Sequence, residues 1–149
     1  TVVPVSNADV ERTINIAKDE GIPILPRGGG TSQCGQVLGE ALIIDTSKQL
    51  NRILQFDVKT KTVEVEPGVV LDDLNRMLKP HNLFFPVDIS TGSRATIGGM
   101  AGNNACGSRS IRYGNMVHNV LEIDAILADG TKAHFGQVSG VPYRLVADK

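Results

Sequence analysis

The residues best suited to binding chemistry form one stretch, Pro26-Arg27-Gly28-Gly29-Gly30-Thr31-Ser32, which follows an apolar run that predicts a buried strand at 22–25. Glycines lack a side chain, so a ligand can reach their backbone amides, and consecutive amides form a concave set of donors that suits an anion. Arg27 adds a positive charge, and two hydroxyl groups follow the glycines. The stretch predicts a phosphate or pyrophosphate site. For the glycines alone, a flexible turn after the strand is the alternative.

A second glycine-rich stretch, at 95–107, predicts a short capped helix. Its threonine can cap the helix, whose free N-terminal amides would then point at a negative group. Its glycines leave one edge bare, so a flat ring or a phosphate can approach the backbone, and an asparagine pair offers amide donors and acceptors. We expect both stretches to line one ligand site; a surface helix with small packing residues is the alternative. The residues concerned are Thr96, Gly98, Gly99, Gly102, Asn103 and Asn104.

Composition and charge exclude several classes of function. The 149 residues carry 15 basic and 16 acidic side chains, scattered along the chain, and the net charge of −1 gives no support for nucleic-acid or membrane-surface binding. No apolar run approaches the ~18 residues of a membrane span, and the first residues do not resemble a signal peptide, so we predict a cytoplasmic protein. The 2 cysteines lack metal-binding spacing, so neither a disulfide framework nor a metal site is expected.

The hydrophobic pattern predicts an α+β chain that begins with a small parallel layer. A helix at 7–20, capped by Ser6 or Asn7 and stopped by Gly21, precedes strands at 22–25 and 41–45. From this helix and the two strands we predict a parallel βαβ-type layer.

The rest of the chain predicts a mainly antiparallel sheet with helices. A hairpin of 53–57 and 62–66 would place Glu64 and Glu66 on a solvent-facing side, and a helix is expected at 70–79. The polar, glycine-rich segment 87–119 is too long for an idle connection, so we expect it to be ordered and functional. Strands at 120–128 and 131–135 would flank a turn at Asp129-Gly130.

Several motifs, taken together and in order, resemble the flavin-binding domain of the vanillyl-alcohol oxidase / p-cresol methylhydroxylase (PCMH-type) family. They are the PRGGGTS loop at 26–32, the segment 88–96, the TIGGMAGNNACG run at 96–107, the IRYG element at 111–114, and 120–122 leading to 127–130. Within that family the chain is most similar to the D-lactate, glycolate and D-2-hydroxyglutarate dehydrogenase branch, which includes large forms fused to iron–sulfur modules.

The resemblance implies an α+β, PCMH-type fold of two α/β subdomains with FAD between them. We place the first subdomain at 1–50 and an incomplete second one at 51–149, with the substrate domain absent. The pyrophosphate would be bound by Pro26, Arg27, Gly28, Gly29, Gly30, Thr31 and Ser32. The flavin and ribityl side would be lined by Ser90, Thr91, Thr96, Ile97, Gly98, Gly99, Asn103, Asn104, Ala105 and Cys106, with Tyr113 and Gly114 closing the site.

Departures from the family pattern bear on how FAD is held. Many members carry a histidine, covalently bound to the flavin, where this chain has Thr31, so we predict non-covalent FAD. A thioether to Cys34 or Cys106 is the alternative, although we expect both to be small buried thiols. No nicotinamide-binding glycine motif follows a strand, and the lysine of a P-loop is missing.

Other polar residues have ordinary interpretations. His81 is expected at a helix end and His134 on an exposed strand face, whereas His118 lies near the predicted flavin side and is a candidate contact to the ring or the substrate. Arg109 and Arg112 are candidates for binding a substrate carboxylate or stabilising reduced flavin; surface ion pairing is the alternative, and we favour it for Arg109.

The resemblance implies the FAD-binding portion of a flavin-dependent dehydrogenase or oxidase. It would oxidise a small D-2-hydroxy acid of the lactate, glycolate or 2-hydroxyglutarate type by hydride transfer to the flavin, which supplies the redox chemistry. Catalytic residues and the carboxylate clamp would lie in a missing region, so this portion would be inactive alone; the electron acceptor stays open, with iron–sulfur modules as one option. The alternative from another class is a nucleotide-binding regulatory or scaffolding module without redox activity.

Overall fold

A computed structural model describes residues 1–136, and it has an α+β architecture. Residues 137–149, the end of the second predicted subdomain, lie outside the described part. The helices are α1 (Asn7–Asp19), α2 (Leu71–Leu78), α3 (Ile97–Gly102), α4 (Ser110–Tyr113) and α5 (Met116–Asn119), with a 3-10 turn at Lys79–His81. The strands are β1 (Ile24–Arg27), β2 (Leu42–Asp45), β3 (Ile53–Asp57), β4 (Thr62–Val65), β5 (Ile123–Ile126) and β6 (Lys132–Phe135). The subdomain division at residue 50 stays a prediction.

The first layer has the predicted helix and parallel strands. Ser6 caps α1 by accepting a hydrogen bond from the Asp9 amide at 3.2 Å, and Gly21 ends it with a φ of 63°. Strand β1 pairs in parallel with β2. It begins two residues later than predicted, because the Ile22 amide donates to the Ala17 carbonyl at 2.7 Å and completes the helix end.

Strand β1 also continues further than expected, through Pro26 and Arg27. The sequence placed both residues in the glycine loop, but Arg27 pairs with Asp45, and its carbonyl accepts from the Thr46 amide at 3.0 Å. The free loop therefore begins at Gly28, and the guanidinium of Arg27 projects from the last residue of a paired strand.

The hairpin of β3 and β4 is confirmed as antiparallel, but the prediction for Glu66 is wrong. Strand β4 ends at Val65, so the alternation that placed Glu66 in solvent ends before it, and the residue is only 8% exposed. The backbone and guanidinium of Arg52 donate to both carboxylate oxygens, at 2.7 Å to Oε2 and at 2.6 and 3.0 Å to Oε1. These hydrogen bonds lower the pKa of Glu66, which favours the charged form in a buried position.

Helix α2 connects two hydrophobic clusters, because its leucines at i, i+3 and i+7 face inward as predicted. Leu71 joins one cluster, and Leu74 and Leu78 join the other. Fully burying a leucine contributes about 1.5–3 kcal/mol, so this short helix is held by packing more than by its own propensity. The first cluster contains Leu71, Val87, Ala95, Met100 and Met116, and the second Val69, Leu74 and Leu78.

The glycine-rich segment 87–119 is ordered, as expected, and folds into three short helices. Asp88 holds its second half: its carboxylate accepts from the Ser108 hydroxyl at 2.7 Å and from the Arg109 amide at 2.8 Å. Gly107 packs against the Asp88 backbone so closely that a methyl group there would overlap it. These contacts hold α4 against the start of the segment.

The last strand pair is shorter than predicted. The amide of Val120 still donates to the Met116 carbonyl at the end of α5, at 2.9 Å, so β5 does not begin until Ile123. The turn prediction is confirmed, with Gly130 at a φ of 86°.

None of the helices within residues 1–136 is long and apolar enough to cross a membrane.

Candidate functional site

The loop after β1, which runs over residues 28–36 and is called the first glycine loop below, presents backbone donors that the protein itself does not use. Within residues 1–136, no backbone or side-chain group accepts a hydrogen bond from the amides of residues 28–32. Gly30 has a φ of 65°, in the left-handed region that turns successive amides toward one side. Because unpaired amides seek acceptors, this loop suits an anionic ligand.

Arg27 adds charge to the same loop. A methyl group on Gly30 would lie 3.0 Å from Nη2 and 3.2 Å from Nε of Arg27, so the guanidinium lies beside the loop backbone. Among the ion pairs of residues 1–136, none includes Arg27. An unpaired, partly buried guanidinium next to free amides fits a phosphate or diphosphate.

The two glycine-rich stretches of the sequence meet directly in the structure. A methyl group on Gly28 would overlap Oγ1 of Thr96 and would lie 3.6 Å from Cα of Gly99, and one on Gly29 would overlap the Arg94 carbonyl oxygen. Only glycine permits this backbone approach, so the first loop lies on the turn and helix that begin the second stretch. That both line a cofactor stays a prediction.

The expectation of free amides at the start of α3 is wrong. Ile97 donates to the Val69 carbonyl at 2.8 Å, Gly98 to the Pro67 carbonyl at 2.9 Å, and Gly99 to Oγ1 of Thr96 at 3.3 Å. The sequence showed the cap but not the tertiary acceptors supplied by the turn before α2. Of the two stretches, only residues 28–32 therefore keep a run of unpaired amides that could bind an anion.

Several predicted site residues are occupied by packing. Thr96 is only 1% exposed. Its side chain caps α3 and packs against Gly28. Gly98 faces Pro67, whose Cβ would lie 2.5 Å from an added methyl group. Ala105 packs against the first hydrophobic cluster. Ser90 and Thr91 lie in a turn at 90–94, in which the Thr91 carbonyl accepts from the amides of residues 94 and 95 at 2.8 Å.

The two asparagines after α3 hold neighbouring segments together. Asn103 donates from Nδ2 to the Gly99 carbonyl at 2.9 Å, and its Oδ1 accepts from Nε2 of Gln36, also at 2.9 Å. Asn104, with a φ of 45°, accepts at Oδ1 from the Val117 amide at 3.0 Å and so supports the start of α5. Gln36 was absent from the sequence-based site, and no local motif marks it.

Tyr113 contacts a residue before the segment 87–119, and Gly114 contacts a residue within it. The ring of Tyr113 packs edge-on against Phe84 at 5.8 Å, with the Arg112 guanidinium 5.3 Å from its centroid. Gly114, at a φ of 80°, lies against the ring of His118. The Tyr113 contact links the end of α4 to residue 84, and the Gly114 contact links it to α5.

Both cysteines are exposed, so the expectation of small buried thiols is wrong. Cys34 lies in the first glycine loop, where its amide donates to Oγ of Ser32 at 3.4 Å, and Cys106 follows the second stretch. Neither position is surrounded by apolar side chains that would bury it.

The histidines and Arg109 have structural partners. His118 accepts at Nδ1 from the Asn115 amide at 3.0 Å and so closes the start of α5. His134 pairs with Asp124 at 2.7 Å, which raises its pKa. The favoured interpretation of Arg109 is confirmed, because its Nε lies 3.8 Å from the Asp88 carboxylate. His81 lies at the end of the 3-10 turn, as expected, against Phe56.

Residues 1–136 contain no cluster of histidine, cysteine or acidic side chains that could hold a metal ion.

One surface depression of about 420 Å³ lies beside α1, and another of about 230 Å³ lies between the β3–β4 hairpin and residues 83–86. Neither is lined by the two glycine-rich stretches.

Comparison with known proteins identifies the family and the fold. The family model described as "FAD binding domain" matches residues 1–136. The chain is 39% identical over 136 residues to a D-2-hydroxyglutarate dehydrogenase of Pseudomonas putida, and the alignment covers 89% of this chain and 14% of that protein. It is 34% identical over 132 residues to the mitochondrial D-lactate dehydrogenase [cytochrome] 1 of Saccharomyces cerevisiae, and the alignment covers 86% of this chain and 22% of that dehydrogenase.

A solved structure of alkyldihydroxyacetonephosphate synthase has the same fold, with a TM-score of 0.79 at 21% identity over 97% of this chain and 29% of the other. The chain thus spans only a small part of the relatives it matches. The free amides of residues 28–32 and the unpaired charge of Arg27 fit the diphosphate of FAD. On the match over residues 1–136 and on this fold, the chain belongs to the FAD binding domain family, with the PCMH-type α+β fold.

Proposed function

We propose that this chain is the FAD-binding portion of a longer oxidoreductase that oxidises a small D-2-hydroxy acid. Family membership supports the cofactor, and the dehydrogenases of D-2-hydroxyglutarate and D-lactate at 39% and 34% identity support the substrate class. Neither of these relatives favours the alternative of a regulatory or scaffolding module without redox activity.

The observation that carries the proposal is the first glycine loop. Its free amides at 28–32 lie beside the unpaired guanidinium of Arg27. Gly28 packs against Thr96 and Gly99, and Gly29 packs against the backbone of residues 94 and 95. We assign the diphosphate to this loop, and the flavin side to the surface of residues 90–106. Bound FAD would supply a two-electron acceptor, while this chain binds and orients it.

FAD would be held without a covalent bond, since Thr31 stands where a flavin-linked histidine would lie. Cys34 and Cys106 are exposed thiols, and a thioether to either is the testable alternative. We place the catalytic residues in the rest of the longer protein, and the electron acceptor stays open, with iron–sulfur modules as one option. The cytoplasmic location stays a prediction.

Flavin absorbance and titration test the proposal. Purified full-length protein is expected to show flavin bands that move to the supernatant after acid precipitation, because the cofactor is not covalently bound. Apoprotein should rebind FAD, and Arg27→Gln should raise the Kd about 10-fold or more, since a hydrogen bond to a charged group contributes about 1.5–3 kcal/mol.

Arg76→Gln is the matched control, because Arg76 is an exposed arginine on α2 that pairs with Asp73. It should leave the Kd for FAD unchanged. A wild-type apoprotein that cannot be reconstituted with FAD would contradict the proposal. Flavin that stays in the acid pellet would contradict the non-covalent assignment alone.

A further inference from the structure

The side chain of Gln36 connects the far end of the first glycine loop to helix α3. Its Nε2 donates to Oδ1 of Asn103 at 2.9 Å, and Nδ2 of Asn103 donates to the Gly99 carbonyl at 2.9 Å. Two side-chain hydrogen bonds therefore join residue 36 to the backbone of the helix. The bond between the two side chains spans 67 residues of sequence.

The near end of the same loop is held by a different contact. Gly28 and Gly29 lie against Thr96, Gly99 and the Arg94 carbonyl. Between the two ends, the hydrogen bonds found for residues 30–35 involve near neighbours in sequence: the Cys34 amide donates to Oγ of Ser32, and the Gly35 carbonyl accepts from the Leu38 amide. The free amides thus lie on a segment that packs against residues 94–99 at one end and is bonded to Asn103 at the other. Among the hydrogen bonds of residues 1–136, none joins the middle of this segment to α3.

From this arrangement we propose that Gln36 is a positioning residue of the anion site, acting through Asn103 on the shape of the loop; the inference rests on the proposed FAD-binding function. A loop fixed at one end would lose conformational freedom when it closes on a ligand, and that cost would weaken binding. With the second end fixed, part of the ordering is already present in the free protein. Gln36 itself need not contact the ligand.

The polarity of the bond is fixed by the network. The Gly99 carbonyl can only accept, so the nitrogen of the Asn103 carboxamide faces it and the oxygen faces residue 36. Residue 36 must therefore be a donor. Gln36→Glu would place a carboxylate against an oxygen at neutral pH, whereas the same carboxyl group in its protonated form could donate again.

The experiment compares FAD affinity among variants of the full-length apoprotein, by fluorescence titration. Gln36→Ala should raise the Kd of FAD about 3- to 10-fold, the range expected for one net hydrogen bond. Gln36→Glu should raise it at least as much at pH 7 and recover relative to wild type as the pH approaches the carboxyl pKa. Gln55→Ala, at an exposed position of β3, is the matched control.

A double variant separates positioning from general stability. In an Asn103→Ala background, Gln36→Ala should change the Kd no further, because its partner is already absent. Wild-type protein that binds no FAD overturns the proposed function. Wild-type binding with an unchanged Kd in Gln36→Ala, or a loss in thermal midpoint without a change in Kd, overturns this inference alone. A full additive loss in the double variant also overturns it.

Discussion

Gly28→Ala tests the direct contact between the two glycine-rich stretches. The new methyl group would overlap Oγ1 of Thr96, a buried hydroxyl that caps α3. Thr96 can move away only by giving up its bond to the Gly99 amide, and the alternative is a shift of the loop backbone. Either response perturbs both stretches at once, so the substitution reports on their interface.

The magnitude follows from these two responses. Loss of a threonine cap costs about 1 kcal/mol, and forcing an extra methyl group into a packed site costs about 1–3 kcal/mol. Replacing glycine by alanine stabilises by about 0.4–1 kcal/mol through the unfolded chain, which offsets part of the loss. We therefore expect Gly28→Ala to lower the free energy of unfolding by about 1–2 kcal/mol.

A double-mutant cycle with Thr96→Ala makes the prediction specific. Without Oγ1, the nearest atoms to the new methyl group are Cβ of residue 96 at 3.5 Å and Cα of Gly99 at 3.6 Å, which are ordinary contacts. In that background Gly28→Ala should therefore be neutral or slightly stabilising. The coupling between the two positions should be about 1–3 kcal/mol.

Urea unfolding of the wild type, the two single variants and the double variant measures this coupling. Gly102→Ala is the control, because a methyl group at that end of α3 would meet nothing within 4 Å, and it should leave stability equal or raise it by up to about 1 kcal/mol. Additive effects of Gly28→Ala and Thr96→Ala, within about 0.5 kcal/mol, would refute the contact.

Two further predictions concern groups outside the glycine stretches. The pKa of Glu66 is lowered in the folded state by its hydrogen bonds to Arg52, so the pair contributes stability above the unfolded pKa of about 4.3, and that contribution is lost as the pH falls through the lowered folded value. Urea midpoints measured from pH 7 to 3 should fall less steeply for Glu66→Gln than for wild type; parallel curves would contradict the pairing. Cys34 and Cys106 are exposed, so in the apo chain both should react with a thiol reagent without denaturant, and a mass shift for only one adduct would contradict their exposure.

Much of the fold could be predicted because it depends on local signals. Neighbouring residues alone predict the cap at Ser6, the inward leucines of α2 and the turn at Gly130. The structure confirms all three. The hairpin of β3 and β4 likewise follows from alternation over a short span.

The errors arose where a distant group decides the outcome. The local pattern predicts an exposed Glu66, but Arg52 donates to both of its carboxylate oxygens. The same kind of pattern predicts free amides at the start of α3, but the carbonyls of residues 67 and 69 accept from them. Strand β5 starts late because the Val120 amide remains bonded to α5. The contact of Gln36 with Asn103 has no local signature at all. Pattern reasoning located both glycine stretches but could not show which hydrogen-bonding groups remain available.

The hydrogen bond between Gln36 and Asn103 joins residues 67 positions apart, which has a consequence for synthesis on the ribosome. The loop at 28–36 leaves the exit tunnel long before residues 94–103 that support it, and a closure over 67 residues carries an entropic cost that local pairing does not. The first strands and helix can form while translation continues, but the loop acquires its native shape only after α3 has emerged. Competence to hold a cofactor is thus among the last properties that this stretch of nascent polypeptide gains.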